Sequence, residues 1–230
     1  MSDEKRQILI WDLPLRLFHW GLVICLAGSW ITAEAGFDWT QWHFYFGYAS
    51  LTLLLFRIIW GFAGARYARF SSWPIQPRAV LQSLTELFKP TAHPQLGHNP
   101  LGSLAIILML ASVATQAITG LFISDDIFWA GPYNGAVSSD TAGRLANIHH
   151  LNFDLLVTLV SLHLLAMVFY RLYKKEHLVG AMITGHKLAS ETAQPASNQL
   201  LSGLMVLLIS AAAIGCLIYF APPPAPVSYF

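Results

Sequence analysis

Five stretches of the chain stay apolar for about the length of a bilayer crossing, with polar segments between them. They run roughly over 17–33, 44–62, 101–123, 149–173 and 200–220. A transmembrane helix needs about 20 mainly apolar residues, so each stretch predicts one crossing. Lys5 and Arg6 before the first run, and Ala33-Glu34-Ala35 after it, imitate a cleavable signal. The run itself carries His19, Trp20 and Trp30 and follows Asp12, Pro14 and Arg16, which is richer than a signal core. It is read as a retained helix.

The connections differ in character. The 64–100 segment has turn signals at Trp73-Pro74, Gln76-Pro77 and Lys89-Pro90, and its 78–88 part predicts a short amphipathic helix lying at the membrane interface. The 124–145 segment is rich in Gly, Ser and Asp and is expected to cover the outer face. The proline-rich 222–226 tail predicts an extended end. Basic residues then set the orientation, because they favour the cytoplasmic side. Lys5, Arg6, Arg16, Arg57, Arg66, Arg69, Arg78, Lys89, Arg171, Lys174, Lys175 and Lys187 all fall on one side. The other side holds Arg144 with Glu34, Asp38, Asp125, Asp126 and Asp140. The amino terminus is therefore expected in the cytoplasm and the carboxyl terminus outside.

Composition agrees. Of 230 residues, 55% are hydrophobic and 11% charged, where a soluble domain carries about 25% charged residues. A net charge of +1 argues against a nucleic-acid partner. Cys25 and Cys216 lie in apolar runs and suit neither a disulfide framework nor a zinc site. The fold class predicted is all-α, a single-domain integral membrane bundle of five transmembrane helices, embedded in lipid.

Ionisable residues within a membrane are costly and so are candidates for function. Of nine histidines, His93, His98, His177 and His186 fall in loops or at span edges, while His19, His43, His149, His150 and His163 lie in or at the ends of spans. His149 and His163 are fourteen residues apart, about 40° short of four helical turns, and so share a face about 21 Å apart along the axis. His150 points nearly opposite to His163 and is expected at the interface. Depth supplies partners across helices: His43 matches His149 toward the periplasm, and His19 matches His163 toward the cytoplasm. Two histidines on opposite sides of an iron are what a six-coordinate haem b requires. A zinc or copper site would cluster three or four ligands at one depth, and no Cys-x-x-Cys-His motif offers covalent attachment.

At these residues the chain resembles the bacterial cytochrome b561 / nickel–iron hydrogenase b-type cytochrome family of di-haem membrane proteins. The opening Trp11-Asp12-Leu13-Pro14-Leu15-Arg16-Leu17-Phe18-His19-Trp20 is similar to the start of that family's first helix. Arg57-Ile58-Ile59-Trp60-Gly61-Phe62-Ala63-Gly64, with Ala68-Arg69-Phe70, is similar to the end of its second. Gly97-His98-Asn99-Pro100-Leu101-Gly102 resembles the start of its third. His149, His163 and Leu178-Val179-Gly180-Ala181-Met182-Ile183-Thr184-Gly185 resemble its fourth helix and the segment beyond. The likeness covers most of 11–187, and the fifth span, about 200–220, carries no matching motif. It implies two non-covalent haem b groups within the first four helices, the inner held by the first and fourth and the outer by the second and fourth.

Other roles are expectations. Arg16 and Arg57 are candidates to pair with a propionate of the inner haem, or are plain inside anchors. Trp20, Trp42, Trp60 and Trp129 read as interfacial belt residues. Gly47 and Gly61 read as points of close approach. The resemblance implies a quinone site near the inner haem, which maps to Asn99. His98 beside it is expected to exchange the accompanying proton. Asn99-Pro100 is equally good helix-start chemistry. Asp154 has no single reading: a bond to a neighbouring helix, a bond to a histidine ring, or proton movement.

The function expected is electron transfer across the bacterial cytoplasmic (inner) membrane. Electrons would pass between a periplasmic partner, either a c-type cytochrome or a hydrogenase small subunit, and the quinone pool. The alternatives are a terminal oxidoreductase at the membrane surface and a haem-free transporter or assembly subunit.

Overall fold

The computed structural model describes residues 5–89, 95–125, 128–190 and 192–223. His93, Asp126 and residues 224–226 of the tail lie outside the described residues. The chain folds into β1 (Lys5–Leu9), α1 (Leu13–Glu34), α2 (Thr40–Ala63), α3 (Pro77–Thr85), α4 (Pro100–Gly120), α5 (Ser139–Leu172), α6 (Leu178–Thr184), β2 (His186–Ser190) and α7 (Leu200–Tyr219). Five of these helices are long and apolar enough to cross a membrane, one for each expected span.

α5 starts ten residues before its apolar run does. Ser138 Oγ accepts the Thr141 N–H at 3.3 Å, Asp140 sits in the first turn, where a helix favours negative charge, and Asp140 pairs with Arg144 at 3.0 Å. A helix of 34 residues is about 50 Å long against about 30 Å of hydrocarbon, so part of α5 extends beyond the apolar layer. α3 is the interfacial helix expected over 78–88. Pro77, with its fixed φ, is its first residue, and it ends earlier, at Thr85.

One element departs from an all-helical chain. β1 and β2 form a two-stranded antiparallel ribbon with Lys5 opposite Ser190 and Leu9 opposite His186. Gly185 makes this possible. It ends α6 in the left-handed conformation, φ 86°, which suits a residue without a Cβ, and its carbonyl accepts the N–H of Ile10 at 2.8 Å and of Trp11 at 3.0 Å. A Cβ there would stand 2.7 Å from the Trp11 carbonyl oxygen.

The chain forms two compact units. One comprises Met1–His19, Phe56–Met109 and Leu159–Val206. Its core is aromatic and aliphatic, with Ile8, Ile10, Trp11, Phe18, Phe56, Trp60 and Trp73 buried. Leu13 N–H bonds to Asn198 Oδ1 at 3.0 Å, and a Cβ on Gly203 would meet Pro14 at 2.5 Å, so the starts of α1 and α7 are in contact. The other comprises Trp20–Leu55, Leu110–Thr158 and Leu207–Phe230. There Phe46 lies against Gly28, whose Cβ would stand 2.5 Å from the ring. Asn152 of α5 donates to the Ser112 carbonyl at 2.9 Å and to Gln116 Oε1 at 2.7 Å, and accepts from Ser112 Oγ at 3.0 Å. This buried network satisfies the Asn152 amide and fixes the rotation of α5 against α4.

Candidate functional site

In the second of these units, His43 on α2 and His149 on α5 face each other with ring centroids 6.3 Å apart. His43 Nδ1 lies 2.9 Å from the Ser29 carbonyl and 3.1 Å from Ser29 Oγ. A carbonyl only accepts, so Nδ1 carries the proton and Nε2 the lone pair. His149 Nδ1 lies 3.1 Å from Thr119 Oγ1. That hydroxyl donates to the Thr115 carbonyl at 2.7 Å, so His149 Nδ1 is the donor and its Nε2 also keeps the lone pair. Metal–imidazole bonds of about 2 Å, with each nitrogen about 1 Å from its ring centre, would put two rings about 6 Å apart around one metal. The spacing and both tautomers therefore fit a pair of axial ligands, with Ser29 and Thr119 orienting the rings. Gly47, one turn beyond His43, has no heavy atom within 4 Å of where a Cβ would stand. His150 is exposed, as its facing predicts.

In the first unit, His19 on α1 and His163 on α5 lie within Coulombic reach of each other. Arg16, one turn before His19, donates to the Ile183 carbonyl at 2.5 Å. It thus satisfies an orphan carbonyl in the last turn of α6.

Arg57 is not an interfacial anchor. It is 2% exposed, with its guanidinium 4.7 Å from the Phe70 ring centre and 5.2 Å from that of Trp73. Gly61 gives Phe70 room to lie on α2, since a Cβ there would stand 2.1 Å from the ring. Asp12 is the counter-charge to Arg57. It is fully buried and accepts the Trp60 indole N–H at 2.9 Å. Burial pushes the Asp12 carboxyl up, against the opposing pull of the Trp60 bond and of Arg57. Trp60 is fully buried too, so its reading as a belt residue is corrected: the indole bonds a carboxylate rather than reaching the lipid interface.

His98 sits between Trp11 and Trp73, with ring centroids at 4.6 and 5.2 Å. Burial, and then the positive charges of Arg57 and Lys187, lower its pKa to about 3. A histidine so placed favours its neutral form. Asp12 Oδ1, Arg57 Nη1, Trp73 Nε1 and His98 Nδ1 are all buried without a hydrogen-bond partner among the described residues. Asn99 is the N-cap of α4, its Oδ1 accepting the Gly102 N–H at 2.6 Å. Its Nδ2 donates to the Tyr170 hydroxyl at 2.8 Å. Asn99 and Tyr170 line a cavity of about 210 Å³ with Glu86, Glu176, Lys174 and Lys187.

Asp154 is exposed, about 160° around α5 from the buried Asn152 and Leu156. Its side chain points away from the histidine face, so the reading as a partner to a histidine ring is dropped. Sequence reasoning missed Asp12, Ser29, Thr119 and Tyr170. Ser29 and Thr119 stand in apolar helices where nothing but the paired ring marks them, and Asp12 lay unread within the opening motif.

The prokaryotic cytochrome b561 family model matches residues 10–185. A probable Ni/Fe-hydrogenase B-type cytochrome subunit of Azotobacter vinelandii is 25% identical over 221 residues, covering 80% of this chain and 90% of the relative. The corresponding subunit of Rhodobacter capsulatus is 25% identical, covering 80% and 82%. A probable Ni/Fe-hydrogenase 1 B-type cytochrome subunit of Escherichia coli is 26% identical, covering 80% and 83%. No solved structure gives a significant match.

Proposed function

Because the chain belongs to the prokaryotic cytochrome b561 family, whose members are b-type cytochromes of the membrane, we propose that its electron transfer runs through two non-covalent haem b groups. His43 and His149 hold one, and His19 and His163 the other. The observation that carries the reading is the His43–His149 pair, 6.3 Å between ring centres, with both Nδ1 atoms engaged and both Nε2 atoms left to coordinate. Bis-histidine haem supplies one-electron chemistry without opening a substrate position. The chain's own part is to hold the four imidazoles, with His43 and His149 in the ligating tautomer, and to balance charge. Arg57, caged by Phe70 and Trp73 with one buried N–H to spare, is the residue to receive a propionate. Arg16 has its Nε buried and unbonded and serves as the second.

Quinone exchanges electrons on the cytoplasmic side of the inner membrane. Asn99 and Tyr170 line the cavity that would receive its head group, and His98, next to Asn99 in the chain, is the candidate to exchange the accompanying proton. The periplasmic partner is a hydrogenase, a choice resting on the relatives, which are probable Ni/Fe-hydrogenase B-type cytochrome subunits. A c-type cytochrome is the alternative.

A dithionite-reduced minus oxidised spectrum of the purified protein, with haem quantified as the pyridine haemochrome, tests the scheme. Two haems b per chain are expected, falling to one in His43→Ala and to one in His163→Ala. Haem-free protein from haem-replete cells overturns it. Loss of quinone reduction with quinone-site inhibitors distinguishes quinone exchange from a terminal reductase, whose activity would persist.

A further inference from the structure

A second cavity, of about 480 Å³, opens where the chain leaves α2, lined by Arg66, Arg69, Ser71, Ser72, Gln194 and Ser197. Its volume falls in the range of about 300–1,000 Å³ typical of small-molecule sites. Among the described residues, no acidic side chain lines it. The electron-transfer scheme makes no use of it.

The walls are fixed before any ligand arrives. Arg66 donates to Gln194 Oε1 at 2.5 Å, and the Tyr67 hydroxyl donates to the Gln194 carbonyl at 2.9 Å. Ala196 N–H bonds to the Leu9 carbonyl at 2.7 Å, joining the 194–197 wall to the ribbon. Arg69 donates Nε to the Gly64 carbonyl at 2.7 Å, which leaves both terminal nitrogens of its fork for a ligand. Hydroxyl polarity is set as well. Gln199 donates to Ser197 Oγ at 3.0 Å, so the Ser197 proton is free to point elsewhere. Two guanidiniums and a serine donor, with no carboxylate among the described lining residues, match the oxygens of a phosphate group.

Position selects the source of that phosphate. Ala63 ends a membrane-crossing helix, and the cavity begins three residues later, at the depth of phospholipid head groups. Phe62, 74% exposed, stacks edge-on to Phe70 at 5.3 Å, directly before Ser71 and Ser72. Apolar surface therefore runs from the span to the rim of the cavity, as an acyl chain requires. We propose that this cavity binds the phosphate of an anionic phospholipid, with Arg66 and Arg69 as the phosphate clamp and Phe62 and Phe70 beneath the acyl chains. Basic pockets beside transmembrane helices commonly take such head groups.

The test uses the full chain, purified and delipidated, with bound lipid read by native mass spectrometry and stability read by melting temperature. Phosphatidylglycerol is expected to bind and raise the melting temperature more than phosphatidylcholine. In Arg66→Gln/Arg69→Gln its apparent affinity should fall by at least about tenfold, the loss expected for charge-assisted hydrogen bonds. Arg78→Gln, outside the cavity on α3, should bind as the parent does. Ser71→Leu, which narrows the cavity and keeps both arginines, should also weaken binding, and circular dichroism establishes that each variant is folded. Equal binding of phosphatidylglycerol and phosphatidylcholine overturns the proposal, as does full retention in the double variant. Inorganic phosphate that stabilises the protein as well as the lipid does, and competes with it, overturns the assignment to lipid and gives the site to a soluble phosphate.

Discussion

Thr119 shows how much of a ligand site lies outside the ligands. Its hydroxyl, held by the Thr115 carbonyl, leaves His149 only the donor role at Nδ1. Thr119→Val keeps the shape and removes the acceptor. Such outer partners typically contribute about 10–100-fold in metal affinity. On the proposed two-haem scheme, haem retained after dialysis against apomyoglobin should therefore fall selectively at the His43/His149 site, leaving a haem at His19/His163 bound. His98 shows what burial does to an imidazole. In the unfolded chain it titrates near 6.5, and in the fold at about 3. Between those values the unfolded chain binds more protons, so the histidine's contribution to stability is complete above about pH 6.5 and declines as pH falls toward 3, by up to about 1.4 kcal/mol per pH unit. His98→Gln should flatten the fall in melting temperature between pH 6.5 and 4, and a variant with an unchanged acid limb would contradict the assigned environment. The histidine pairs were legible because helical period and depth are both countable along a sequence. The burial of Trp60 was not. Its indole looks like a belt residue until Asp12, 48 positions away, arrives to accept the N–H.

At the scale of elements, Gly61 carries a testable contact. Phe70 occupies the space of its absent Cβ, and Phe70 in turn faces the Arg57 guanidinium. Gly61→Val forces the ring away. Overpacking of this kind costs about 1–3 kcal/mol, so the melting temperature should drop, with partial rescue by Phe70→Ala in the same chain. The five crossing helices were legible because a bilayer imposes length and apolarity together. Helix ends were less so. The first ten residues of α5 are a polar helix whose start depends on Ser138 and Asp140, and apolar counting stops where those begin. The β1–β2 ribbon was not legible at all, because the Lys5–Leu9 and His186–Ser190 segments have little strand character apart and acquire it by pairing.

For the molecule as a whole, the two units hold different histidine pairs. One holds His43 and His149 with the Asn152 network. The other holds His19 and His163 with the buried Arg57–Asp12 cluster and both cavities. Asp154 belongs to neither task. A carboxylate on the outward side of a membrane helix is expensive, and its place opposite Asn152 explains why no reading built on the ligands could absorb it. The family motifs, which run through the residues of both units, reported the architecture well. They said little of α7, whose start is nonetheless set against Pro14 and Leu13.

The ribbon has a consequence for biosynthesis. β1 is translated about 180 residues before β2, the strand it pairs with, and four of the five candidate crossings lie between them. Until then the amino-terminal arm has no mate, and Ile10 and Trp11 lack the Gly185 carbonyl that receives their N–H groups. The segment leading into His19 is thus made before α1 and completed only after α6. Completion of the His19 end of α1 therefore waits for synthesis of β2, and chains truncated before Gly185 would leave the Ile10 and Trp11 N–H groups without their acceptor.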